Sequence, residues 1–159
     1  MKKNIIYTLI LFAFAFSSCR KDTIDAGGTA VQDVAGEWWT QVDDGSGFGS
    51  DYFRLSTYNT AANTADKMFI DDGNGFYGMK GVVNVDAKAR TFSVTDADEL
   101  YYGVKMTVTD GKIVKDGIKA PGSGVTTDLI TLTVTFSDSP GVAYKLMGYR
   151  RTKFLEDDH

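Results

Sequence analysis

Ile130-Thr131-Leu132-Thr133-Val134-Thr135-Phe136 alternates apolar and hydroxylated residues without a break. That period of two is what a half-buried strand requires, because successive side chains of an extended backbone point to opposite faces. The same alternation lies upstream, where Val104, Met106 and Val108 interleave with Lys105, Thr107 and Thr109. Asp110-Gly111 then supplies the positive-φ positions of a tight hairpin before Lys112 to Ile118, so these two segments are expected to be antiparallel neighbours. Further strand candidates are Glu37 to Val42, Tyr52 to Tyr58, Lys67 to Ile70, Phe76 to Val85, Thr91 to Thr95 and Ala143 to Arg151. No connection shows a long helical period. Strands that follow one another through turns rich in Gly, Asp and Asn imply an antiparallel meander, and closing it removes exposed edges. The expected fold is all-β, a small antiparallel up-and-down barrel of about eight strands; a two-sheet sandwich gives much the same alternation and stays open as the alternative.

The N-terminus reads differently. Lys2 and Lys3 precede an almost unbroken apolar run from Ile5 to Phe16, and small Ser17 and Ser18 lead into Cys19. This is the layout of a secretory signal. A spanning helix needs about 20 apolar residues, and this run is shorter and is stopped by Arg20 and Lys21. The segment Phe16-Ser17-Ser18-Cys19 resembles a bacterial lipobox, in which cleavage falls before the cysteine and its thiol takes a diacylglycerol; Phe16 departs from the usual Leu. The alternative is an ordinary signal with Cys19 near its end by chance. The single cysteine in the chain speaks for lipidation, since a secreted thiol would otherwise have no partner for a disulfide. The organisation expected is a signal peptide over 1–18, lipidated Cys19 and a flexible tether over 19–35, and one barrel domain over 36–159. The tether is small, polar and glycine-containing. Its Lys21-Asp22 pair resembles surface-export signals of some Gram-negative lipoproteins. Removing the signal takes the formal net charge from -4 to -6, a balance that disfavours nucleic acid. About 140 residues remain, enough for one domain with a sizeable core.

Chemistry-bearing constellations are few. The one histidine, His159, leaves no material for Ser-His-Asp or Cys-His catalysis or for a multi-histidine metal site. Paired carboxylates occur in Asp43-Asp44-Gly45-Ser46-Gly47 and Asp71-Asp72-Gly73-Asn74-Gly75. Two such acids could flank a glycosidic bond or hold calcium, but neither loop has EF-hand spacing, and Asp, Gly and Asn together are the residues of turns. Neither a metal nor a cofactor is expected, and a carboxylate-dependent hydrolase is the minor alternative to a binding protein. Aromatic residues are in surplus. Trp38 and Trp39 must point to opposite sides of one strand, and so must Tyr101 and Tyr102 if extended, so some aromatics are left outside for a glycan or protein contact.

Gly36-Glu37-Trp38 resembles the G-x-W signature of lipocalins and other calycins, with Arg150 near the end of the last strand. Together with Tyr58-Asn59-Thr60-Ala61, Lys67-Met68-Phe69-Ile70-Asp71-Asp72 and Gly148-Tyr149-Arg150-Arg151, the pattern is similar to the calycin-like lipid-binding lipoproteins of anaerobic Gram-negative commensals, over Gly36 to Phe154. The resemblance implies a calycin-like barrel whose closed end packs Trp38 against Arg150, with Arg151 left for solvent. It also implies an interior that holds a lipid or other small apolar molecule. The residues on the more apolar parity of their strands, Trp38, Leu55, Met79, Phe92, Met106, Leu132, Phe136 and Leu146, are then the expected ligand-binding wall. An anionic headgroup would have to stay at the open mouth, since no Arg or Lys shares their mid-strand positions. The partners expected are an apolar small molecule or lipid and a membrane reached through acylated Cys19, in the cell envelope at the outer membrane, on its periplasmic or surface face. A packed barrel serving as an interaction or glycan-contact module is the second reading, separated from the first by whether the interior is hollow.

Overall fold

The computed structural model describes residues 27–49 and 51–159; the signal segment and Cys19 lie outside them. Eight strands follow in chain order: β1 Gly36–Asp43, β2 Phe53–Asn59, β3 Lys67–Asp71, β4 Lys80–Asp86, β5 Thr91–Asp98, β6 Lys105–Lys119, β7 Thr126–Phe136 and β8 Tyr144–Arg150. Each pairs antiparallel with the next, and β1 also pairs with β8, from Trp38 opposite Arg150 to Asp43 opposite Lys145. The sheet is therefore a closed up-and-down barrel, and closure disposes of the sandwich. Burial follows the alternation that the sequence carries: along β7, Ile130, Leu132, Val134 and Phe136 are buried and the threonines between them are half exposed.

Two elements differ from the sequence reading. Asp110-Gly111 is not a hairpin but a β-bulge inside the continuous β6. Thr109 pairs with Thr133 and Lys112 with Thr131, so β6 carries one more residue than β7 between the same rungs, and Asp110 takes a φ of 54°. The dipeptide satisfies a turn and a bulge equally; the unbroken length of β7 beside it decides for the bulge. Its signature is a change of parity, since Met106 and Val108 face inward at even numbers and Ile113 at an odd one. Asp96 and Asp116, also at positive φ, sit at similar register shifts in β5 and β6. The other difference is at Phe76 to Met79, which do not extend β4 but belong to a loop folded over one barrel end.

That end gathers the connections 44–52, 72–79, 99–104 and 137–143. The opposite end is plugged by the chain entering β1. Residues 29–35 form tight turns, with Val34 N–H donating to Val31 O at 2.9 Å and Ala35 N–H to the same oxygen at 3.0 Å, and Val31 and Val34 are fully buried in the core. The described end of the 19–35 segment thus packs into the barrel, because two valines three residues apart on a turn present a single apolar face. All core residues lie between Val31 and Leu146, so the segment from Gly27 to His159 contains the complete core of the described residues and can fold as a unit.

After β8 the chain folds back over the outer wall through a single turn of 3₁₀ helix, Leu155–Asp157. Arg151 is not free in solvent. It pairs with Glu37 at 2.8 Å and Asp158 at 3.0 Å and lies over Trp39, 5.4 Å from the ring centre. Asp157, buried, accepts hydrogen bonds from the N–H groups of Gly122 and Ser123 and from the hydroxyls of Ser123 and Thr152. Tyr149, on the outer face of β8, donates its hydroxyl to Asp157 O at 2.8 Å, and the His159 ring stacks on Tyr52 at 4.0 Å.

Candidate functional site: the apolar interior and its two ends

The barrel wall brings Trp38, Leu55, Met79, Phe92, Met106, Leu132, Phe136 and Leu146 into one buried cluster, none more than 3% exposed. Met68, Ile70, Val83, Val85, Val108, Ile113, Ile130 and Val134 belong to the same cluster, with Val31 and Val34. Bulky side chains lie over inward glycines: a Cβ on Gly81 would overlap Met106 Cε, and one on Gly148 would overlap Thr40 and the Trp39 carbonyl. The interior is thus filled by its own side chains. Among the described residues, the clefts described lie on the surface and are open to solvent. One of about 650 Å³ lies between Asn84, Ser93 and Asp110 and touches Phe92; another of about 420 Å³ lies between Arg54, Ser56 and Tyr58. Of the eight wall residues, only Phe92 and Phe136 border any of the clefts described.

At the plugged end the guanidinium of Arg150 sits over the Trp38 ring, 4.9 Å from its centre, and its Nε lies 3.2 Å from Asp128 Oδ2. Trp38 Nε1–H donates to Thr57 Oγ1 at 3.0 Å, and the threonine hydroxyl passes the chain on to Val34 O at 2.7 Å. The buried indole is thereby satisfied and tied to the plug; an unpaired donor there would cost roughly 1–3 kcal/mol.

At the other end the 72–79 loop forms an aromatic lid. Its neck closes through Asp72 N–H to Met79 O at 2.9 Å. The buried Asp72 carboxylate accepts the N–H groups of Asn74, Phe76, Tyr77 and Gly78 and so shapes the loop. Tyr77 stacks flat on Phe136, centroids 3.9 Å apart and 5° between planes, while Phe76 packs against Phe53 and edge-on to Tyr144. Tyr77 Oη–H donates to Asp138 Oδ1 at 2.8 Å, latching the lid to the β7–β8 connection. The sequence marks Asp72 only as one of a carboxylate pair and gives no sign of its part in shaping the lid, and none of Phe76, Val31, Val34 and Thr57 stands out in it as a site residue. The one pointer is that Phe76-Tyr77 directly follows a glycine-rich turn, where apolar residues have to find cover.

The carboxylate pairs do not face a common space. Asp43 and Asp44 bond their own loop, Asp43 accepting from Gly45 and Gly47 and Asp44 from Ser46. Asp72 turns into its loop while Asp71 lies on the outer wall, where it meets Lys80 Nζ at 2.9 Å, Tyr58 Oη at 2.8 Å and Tyr101 Oη at 2.9 Å. Burial of Asp71 opposes ionisation, but Lys80, the Gly73 N–H and the two tyrosine hydroxyls outweigh it and hold the carboxyl at about 2. Lys80 is in turn held above its ordinary value by Asp71 and Tyr58. At neutral pH the Asp71–Lys80 pair is therefore held in its ionised form. Glu99, buried, accepts the N–H groups of Lys80, Tyr101 and Tyr102. Tyr101 and Tyr102 stand in a turn, so strand alternation does not separate them; both are exposed, and Tyr102 Oη donates to Asn74 Oδ1. Among the described residues no cluster of three or more His, Cys, Asp or Glu could hold a metal.

Fold and site together define a small plugged and lidded β-barrel with a continuous apolar interior. The chain belongs to the family described as "lipid-binding putative hydrolase", which matches residues 23–155. No curated protein matches it.

Proposed function

We propose that the protein is an envelope lipoprotein, anchored at the outer membrane through acylated Cys19 on its periplasmic or surface face, that binds a single-chain lipid inside a calycin-like barrel without hydrolysing it. What carries this reading is the inner face, which carries buried apolar side chains on every strand, in a chain of a lipid-binding family. The contact of Trp38 with Arg150 supports the kinship with calycins. Since the interior is filled by its own side chains, uptake proceeds by repacking. Met68, Met79 and Met106 are the flexible, polarizable residues that make this cheapest, and the ligand replaces the contacts they give up. The filled interior also favours a second reading, a packed interaction module that contacts its partner, glycan or protein, with its outer wall.

The methionines distinguish the two. Met68, Met79 and Met106 point inward, and Met147 lies on the outer wall of β8. With methyl-labelled methionine in the Gly27–His159 segment, titration with single-chain lipids is expected to give saturable shifts of the three inner methyls and little change at Met147. Absence of saturable uptake across the lipid panel, or shifts confined to Met147, overturns the lumen reading in favour of the outer-wall module.

A further inference from the structure

The chain that leads back to Cys19 leaves the barrel at its plugged end. Ala30 N–H donates to Asn63 Oδ1 at 2.9 Å, which pins the entering chain to the β2–β3 connection there. Cys19 to Ala26 is eight residues, and at about 3.3–3.6 Å each they hold this end within about 29 Å of an anchor at Cys19. The tether alone lets either end of the barrel meet the bilayer.

An apolar patch decides between them. The antiparallel order puts the β6–β7 connection and the chain after β8 at the plugged end, and there Leu155 is 87% exposed, Phe154 48% and Val125 40%. Single exposed apolar residues are ordinary on any surface, but these are held outward. Buried Asp157 takes the inward position of the 3₁₀ turn and gathers Gly122, Ser123 and Thr152, and the Glu156 carbonyl lies so close to Gly122 that a Cβ there would overlap it. The turn cannot roll over to bury Phe154 and Leu155 without breaking that clasp. Val125 belongs to the same unit, its N–H donating to the Ser123 hydroxyl that bonds Asp157. Exposed Lys153 and Glu156 flank the pair with opposite charges, so the attraction of this patch is apolar. Phe48, Leu100, Tyr101 and Tyr102 are exposed at the lidded end, but the Tyr101 and Tyr102 hydroxyls are taken by Asp71 and Asn74, and the chain toward Cys19 leaves from the other end.

We propose that the plugged end rests on the bilayer that holds the acyl chains, with Phe154, Leu155 and Val125 immersed in its interfacial layer; this rests on the reading that Cys19 is acylated. Three side chains alone hold a bilayer weakly. A short tether changes that, because contact with the surface becomes intramolecular, at an effective concentration in the millimolar range. The anchor supplies attachment and the patch supplies orientation.

The test uses the full acylated chain in phosphatidylcholine vesicles. Cys19 is the only cysteine and acylation blocks its thiol, so Thr126→Cys at the plugged end and Ala143→Cys at the lidded end, both exposed, each offer one thiol to a fluorophore. The quencher is a nitroxide on the lipid headgroup. β7 rises about 3.3 Å per residue and separates the two probes along the axis, so the Thr126 probe is expected to be quenched about threefold or more strongly than the Ala143 probe. Added salt is expected to leave that difference standing, because the contact is apolar. Phe154→Ser with Leu155→Ser, both outside the core, is expected to bring the two probes to similar quenching while the protein still floats with the vesicles. Leu155→Ser alone should act in the same direction. Similar quenching of both probes in the parent, as a patch covered by a second copy would give, overturns the orientation and leaves the anchor standing. So does stronger quenching at Ala143, or a difference unmoved by the substitutions. Protein that does not float with the vesicles overturns the anchor reading and this inference with it.

Discussion

Individual acidic residues shape the loops of this protein. Asp72, Glu99 and Asp157 are each buried and each gathers backbone N–H groups, as a charged acceptor does best where water is excluded. Asp157 shows the consequence most clearly. Burial works against its charge, yet hydrogen bonds from Ser123 and Thr152 and from the N–H groups of Ser123 and Gly122 prevail, bringing its pKa from 3.8 to about 2. A carboxyl depressed in the fold stabilises it fully above its ordinary value and loses that contribution as pH falls through the folded one. The clasp between the 120–125 connection and the tail is therefore expected to hold at pH 4 and loosen near pH 2. Amide shifts of Gly122 and Ser123 should titrate with a midpoint at about 2; a midpoint near 3.8 would show that the carboxylate does not hold the loop. These roles are poorly legible in sequence, because an aspartate in a glycine-rich stretch looks the same whether it caps a turn or binds a ligand.

Strands are the most legible elements. The Ile130–Phe136 alternation marks an inner and an outer face before any partner is known, and β7 keeps both. What alternation cannot reveal is where a wall must bend, since Asp110-Gly111 offers the same positive φ to a hairpin and to a bulge. Close approach is equally hidden. Gly148 stands opposite Thr40 on the closing seam, and a Cβ there would collide with the Trp39 carbonyl and with Thr40. Backbone cannot step aside as a side-chain tip can, so Gly148→Ala is expected to cost about 1–3 kcal/mol in urea unfolding. Gly81→Ala should cost less, because the Met106 terminus can rotate away from part of the overlap. Equal midpoints for Gly148→Ala and the parent would mean that the seam is looser than its geometry.

The barrel has an axis, with a plug and an arginine–indole contact at one end and an aromatic lid at the other. The chain enters at the plugged end, so the anchor proposed at Cys19 leads into the end that is sealed and leaves the lid to face away from it or to fold back toward the membrane. Since the core of the described residues lies between Val31 and Leu146, anchoring and folding should be separable. Cys19→Ser is expected to leave a folded barrel that no longer sediments with membranes. Retention of the exported, processed variant in the membrane fraction after a high-salt wash would show that something other than acyl chains holds it.

The sequence by itself determined the all-β class and the parity of the regularly alternating strands, because each follows from neighbours within a few residues along one chain. It also placed Trp38 and Arg150 on inward parities at opposite termini of the domain. Only the tertiary structure decided that the meander closes β8 onto β1, that the interior is filled, that Val31 and Val34 are plug and not tether, and that Phe76 and Tyr77 cover the far end. Those are properties of volume and of residues far apart in the chain. Whether Met106 faces a void or the bare backbone of Gly81 depends on a strand two places away around the wall, and no local pattern carries that information.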